Sequence, residues 1–151
     1  MSTRTQNKGF RSNEQNVDLY FSSNGDFRLG VGGDIERTIG YPHQALIQTV
    51  TKRLSSSAGD WPAQQSIGAN LGDFAGQENS RETAQLIKSR IVTELTRGNL
   101  VSASNLRVQM LPLSTTSIII LLFIKSDDSS QPISFQFSYD MRDNKLIPRN
   151  L

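Results

Sequence analysis

A chain of 151 residues with 16 basic and 14 acidic side chains has a formal charge of +2, too balanced to mark a nucleic-acid or membrane surface by itself. It contains no cysteine, which excludes a disulfide scaffold, thiolate metal sites and a cysteine nucleophile. No apolar run approaches the ~20 residues that span a bilayer, and the polar N-terminus lacks the apolar stretch of a secretion signal.

Apart from Met1 and Phe10, residues 1–16 carry no large apolar side chain. They read as a flexible N-terminal arm ahead of a single domain over 17–151, because they cannot bury enough surface to offset the entropy of ordering. Residues 17–21 and 27–31 flank Asn24-Gly25, a pair that tolerates positive φ and so predicts a β-hairpin. Gly30, Gly32 and Gly33 end that hairpin as turn glycines. No Lys-Ser/Thr follows them to make a phosphate loop.

Over 43–55 the period becomes helical. Leu46, Ile47, Val50 and Leu54 form an apolar stripe, and Gln44, Gln48, Lys52 and Arg53 fall on the solvent side. His43 is the only histidine; with no carboxylate cluster beside it, it reads as a polar first-turn residue rather than a ligand or catalyst. Residues 57–76 then form a punctuated connector holding the only tryptophan and four of the eleven glycines. Gly59 and Pro62 bend it, while Gly68, Gly72 and Gly76 interrupt any long helix. Trp61, Ile67, Leu71 and Phe74 are expected to pin it to a core at about 1.5–3 kcal/mol each.

A second helix is predicted over 80–97, with Asn79 as N-cap and Glu82 completing a capping-box-like pair. Ala84, Ile87, Ile91 and Leu95 line its apolar face and Leu86 widens it. Arg97 suits the last turn and Gly98 the stop. Beyond it the period is two: Leu106, Val108 and Met110 alternate with Arg107 and Gln109, and Pro112 ends the strand. Residues 118–124 are seven consecutive apolar side chains, a strand covered on both faces. After a polar loop over 125–131, Ile133, Phe135, Phe137 and Tyr139 alternate with small polar residues as a half-buried strand. The predicted fold is α+β: an N-terminal β-hairpin and two main helices packed on an antiparallel C-terminal strand meander. A projecting hairpin or free edge in such a sheet recruits strands from another chain.

Catalytic constellations are missing from the sequence: there is no Gly-x-Ser-x-Gly elbow, no His-Glu-x-x-His pair and no P-loop. Asp60, Asp73 and Glu78 lie near the connector, and a glycosidase needs two carboxylates at a set separation, which sequence does not supply. The expectation is a non-enzyme with no catalytic, cofactor-binding or metal-binding residues.

The order of elements carries a resemblance. Asn24-Gly25-Asp26 lies in a short hairpin, and Gln48, Arg53 and Leu54 on a helix. Gly59-Asp60-Trp61, Ile67-Gly68-Ala69-Asn70-Leu71 and Phe74-Ala75-Gly76 follow, then a capped helix and a meander. Over about 17–139 the chain resembles the baseplate wedge and sheath-initiator family of contractile-tailed phages, whose relatives serve type VI secretion and other contractile injection machines. The resemblance implies an α+β fold without cofactors and a structural place in a virion tail baseplate, assembled in the host cytoplasm in multiple copies around a six-fold axis. The implied partners are baseplate wedge proteins and the tail sheath protein, with tail tube or hub proteins as further neighbours, and neither nucleic acid nor membrane.

Sheath subunits would join the C-terminal strands by strand exchange, mapped here to Ile118, Ile120, Leu122 and Ile124 and to Ile133, Phe135, Phe137 and Tyr139. Gly59, Asp60, Trp61, Gly68, Leu71, Phe74 and Gly76 fall in the wedge-facing or structural loop. Two departures stand out. T-even-like members carry Glu-Pro-Arg after the second helix, where this chain has Arg97-Gly98-Asn99, and many members have Glu in place of Asp60. Two rival functions are a cell-wall hydrolase, since some members are described as lysozyme-like, and a strand-binding adaptor module.

Overall fold

Leu46, Val50 and Leu54, four residues apart, are 0–1 % exposed and seat α1 (Gln44–Ser55) against the core. The structure is a computed structural model, which describes residues 21, 26, 28–30, 32–34, 43–125 and 131–149. The arm over 1–16, most of the hairpin over 17–31 and loop residues 126–130 lie outside the described residues; Phe21 and Leu29 each form an isolated β-bridge. Phe21 also corrects the polarity assigned to α1. Its backbone amide donates to Gln48 Oε1 at 2.9 Å, and Gln44 Nε2 donates to its carbonyl at 3.2 Å. Gln48 is therefore buried, not solvated.

Helix α2 (Arg81–Thr96) buries Thr83, Ile87, Ile91, Glu94 and Leu95, a stripe of helical period. Its N-cap is Ser80, whose Oγ accepts from the Thr83 amide at 3.1 Å, and not Asn79. Asn79 is drawn away to the turn between the first two strands: its Nδ2 donates to the carbonyls of Ser114 (3.0 Å) and Ser117 (3.1 Å), and its amide to that of Thr115 (2.7 Å). Leu86 does not widen the buried face but stands 57 % exposed, one position off the stripe. Gly98, at φ 65°, stops the helix as expected.

Four strands, β1 (Leu106–Pro112), β2 (Ser117–Ile124), β3 (Ile133–Asp140) and β4 (Lys145–Arg149), make one antiparallel sheet in the order β1-β2-β3-β4. Together with the two helices this is the predicted α+β fold. The register places Met110, Ile120, Phe137 and Pro148 in one row. Ile118, Ile120, Leu122 and Ile124 share a face with Ile133, Phe135, Phe137 and Tyr139 and join Leu46, Val50, Leu54, Ile87, Ile91 and Leu95 in a single core. The other face is uncovered by the helices, so Ile119, Leu121 and Phe123 are only half-buried. Among the described residues the expected double covering of β2 is thus replaced by a two-layer arrangement, with helices on one side of the sheet only. Strand β4 adds a fourth member to the expected meander. It returns through the tight turn 141–144, where Asn144 takes the left-handed φ of 48°.

Candidate assembly surface

Strand β2 is paired along its whole length, with β1 on one side and β3 on the other, and β4 covers Gln136 to Asp140 of β3. The two strands to which the resemblance maps the sheath contacts therefore lie inside the sheet, apart from the outer side of β3 over 133–135, which β4 does not reach. Ile118, Ile120, Leu122, Ile124, Ile133, Phe135, Phe137 and Tyr139 are all at most 7 % exposed and form the chain's own core. The reason lies in β2, whose unbroken apolar run is stable only in the middle of a sheet. The outer edges belong to β1 and β4.

Among the described residues the β1 edge is unpaired along its length. At its two ends Lys125 N–H donates to the Asn105 carbonyl (2.9 Å) and Leu113 N–H to the Ser117 carbonyl (3.0 Å). Bonded and non-bonded pairs alternate in an antiparallel ladder. Arg107, Gln109 and Leu111 therefore bond to β2, and Leu106, Val108 and Met110 turn their N–H and C=O outward. Pro112, the next outward position, has no N–H and ends the template. Among the described residues no strand pairs with this edge. A groove of about 680 Å³ runs beside it, with the N-cap Ser80 and Arg81, Ala84 and Lys88 of α2 on one wall and Val108 and Met110 of β1 on the other. Strand β4 offers less: Pro148 interrupts its donors, and Leu54, Ser55, Leu71 and Gly72 close on Lys145 and Leu146 around a cavity of about 270 Å³.

The connector supports this layout from the opposite end. Leu71 and Phe74 are 4 % exposed and pin it as expected, helped by Ala69. Trp61 does not: it is 42 % exposed, donates from Nε1 to Ser56 Oγ at 2.9 Å and lies under Lys52 Nζ at 5.8 Å from the ring centroid. Its indole N–H still finds a partner, in the nearly buried Ser56. Gly68 meets the chain at 56–58 so closely that no side chain fits. Gly59 (φ 96°) and Gly76 (φ 80°) hold left-handed turns, and Gly76 N–H donates to the Met141 carbonyl at 2.9 Å, tying the connector to the sheet. Asp60 accepts from the Ser57 amide at 2.8 Å and so closes a local turn. Asp73 pairs with Arg90 at 2.6 Å, and the Arg90 guanidinium lies over the Phe74 ring.

Arg97, Gly98 and Asn99 form a short 3-10 turn with Gly98 and Asn99 both at positive φ. Arg97 faces inward to the connector: Nη1 donates to the Ser66 carbonyl and Nε lies 3.6 Å from Glu94 Oε2. Two further residues complete this clasp: Arg53, one of the residues that carry the resemblance, and Glu94, which no motif marks. Glu94 is 1 % exposed and accepts from the Gly68 amide at 2.8 Å. Arg53 of α1 donates to the carbonyls of Glu94 (3.1 Å) and Arg97 (2.8 Å). Burial holds the Arg53 guanidinium below its usual pKa; Glu94 opposes that shift and Arg97 adds to it. The signal for Glu94 is its spacing, three residues after Ile91 and seven after Ile87 on the apolar stripe. Tyr139 closes the core at the connector, donating to the Leu71 carbonyl at 2.6 Å with Asn144 Oδ1 at 3.0 Å. Burial, then Asp140 and Asp73, push its pKa up to about 12.

Among the described residues no group of three His, Asp or Glu side chains is placed to hold a metal ion, and no helix is long and apolar enough to cross a membrane. No family model matches this chain, and no curated protein or solved structure matches it either.

Proposed function

We propose that this chain is a structural assembly protein: a baseplate component of a contractile tail that joins wedge proteins around the tube and starts sheath assembly by accepting a partner strand. The outward-facing edge of β1, open beside the α2 groove, is the observation that carries it. Three residues there, Leu106, Val108 and Met110, offer backbone donors and acceptors at the spacing an added strand requires. The acceptor edge is thus β1, in place of the internal strands β2 and β3. The wedge-facing role falls to the exposed parts of the connector, Gly59, Asp60 and Trp61.

Co-expression with the sheath and wedge proteins of the same genome, followed by size-exclusion chromatography and electron microscopy, tests this with wild type against Met110→Pro. Proline at 110 removes an outward donor while leaving the bonds from Gln109 and Leu111 to β2 in place. Wild type is expected to co-elute with its partners and seed sheath, and a variant with an unchanged circular dichroism spectrum is expected to fail. Wild type that binds neither partner, or a variant that seeds equally well, overturns the proposal.

A further inference from the structure

We infer that the groove between α2 and β1 selects an extended segment of a partner chain with acidic side chains four positions apart, an acid–apolar–acid order on the side facing α2. This rests on β1 being a strand acceptor and adds the chemistry of what it accepts. In an added strand every second side chain falls on the helix side of the sheet. There it meets two cations and no carboxylate among the groove's lining residues: Arg81 and Lys88. No ion pair joins either of them to another described residue.

Seven residues apart on α2, these cations share a face and are separated by about 10 Å along the helix. Side chains on one face of a strand recur at about 7 Å and about 14 Å, so carboxylates four positions apart bracket the pair within reach of the long Arg and Lys stems. Between the cations lie Ala84 and Gln85, and across the groove Met110. Ala84 and Met110 offer that middle position an aliphatic contact, and no ionised group stands there. The same cations disfavour pairing with a second copy of this chain. A β1 edge presents Leu106, Val108 and Met110 on that side, with no acid among them, and it would bring two sets of Arg81 and Lys88 together.

The full chain, titrated with fluorescein-labelled synthetic heptapeptides by anisotropy and by amide chemical shifts of Val108, Met110 and Arg81, provides the test. The probes are Thr-Glu-Thr-Val-Thr-Glu-Thr, the same peptide with Gln or Lys in place of Glu, and a version N-methylated at the ladder positions. The Glu peptide is expected to bind about tenfold more tightly than the Gln peptide, and the Lys peptide most weakly. That preference should shrink with added salt and vanish in Arg81→Gln/Lys88→Gln, two half-exposed or exposed positions whose loss leaves the fold intact. N-methylation should abolish binding. Equal binding of Glu and Gln peptides overturns the charge selection and leaves the strand acceptor standing. Absence of binding by every peptide, or undiminished binding after N-methylation, overturns the acceptor itself.

Discussion

The Gly68 amide donates to the Glu94 carboxylate across 2.8 Å at a position where Glu94 is 1 % exposed. Removing that acceptor strands a buried donor and leaves Arg97 and the half-buried Arg53 without their carboxylate. Breaking one member of such a cluster costs about 3 kcal/mol. Glu94→Ala is therefore expected to lose about that much in chemical denaturation, and Glu94→Gln less, because its amide oxygen still accepts from Gly68. A loss below about 1 kcal/mol for Glu94→Ala would show that the clasp is dispensable.

A Cβ at Gly68 would sit 2.5 Å from the Ser57 carbonyl carbon, at a φ of 141°. Backbone meets backbone there, so neither side yields cheaply. Gly68→Ala is expected to cost about 3 kcal/mol or more, whereas Gly59→Ala, at φ 96° with open space around the new methyl, should cost about 1 kcal/mol of strain. Thermal melts of the two variants side by side check the ranking, and equal melting temperatures contradict it.

Capping of α2 separates two neighbouring residues. Ser80→Ala removes the Oγ that accepts from Thr83 N–H and should cost about 1 kcal/mol. The loss should appear as faster hydrogen exchange confined to the first turn. Glu82→Ala, which in this geometry completes no capping box, should leave those rates unchanged.

Tyr139 gives the alkaline limit. Its folded-state pKa is raised from 10.0 to about 12, so the folded chain holds the phenolic proton more tightly than the unfolded chain does. That contribution is complete below pH 10 and is lost as pH rises through about 12. Tyr139→Phe should cost about 1–2 kcal/mol at neutral pH by leaving the Leu71 carbonyl unpaired. The gap between variant and wild type should narrow as pH climbs through that window. A gap independent of pH would mean that Tyr139 ionises no later in the folded chain than in the unfolded one.

Elements with a strong period are legible in the amino-acid sequence: α1, α2 and β1 to β3 follow from apolar spacing alone. Strand β4 is not, because Lys145-Leu146-Ile147-Pro148-Arg149 is short and carries a proline, which reads as a chain end and survives as a strand only at an edge. Apolar spacing does not mark the free edge of the sheet, for a physical reason. Apolar content marks a strand as sticky, yet the stickiest strand is the one a sheet encloses, and the edge falls to the more polar β1. Trp61 misleads too: its size suggests burial, yet it stands 42 % exposed. Arg81 and Lys88 are visible as charges on a helix, but the groove they line exists only once α2 lies beside β1.

A strand as uniformly apolar as β2 carries little information about its own phase. Sliding it by one residue would exchange Ile120 for Ile119 or Leu121 on the core side at almost no hydrophobic cost. The phase is read from elsewhere. Asn79, ahead of α2, holds the turn 113–117 at Ser114, Thr115 and Ser117, and Met141 N–H holds Thr116 at 2.8 Å. A slipped hairpin would forfeit those bonds together, so docking of the helix works as a proofreading step on a ribbon that could otherwise settle one notch out.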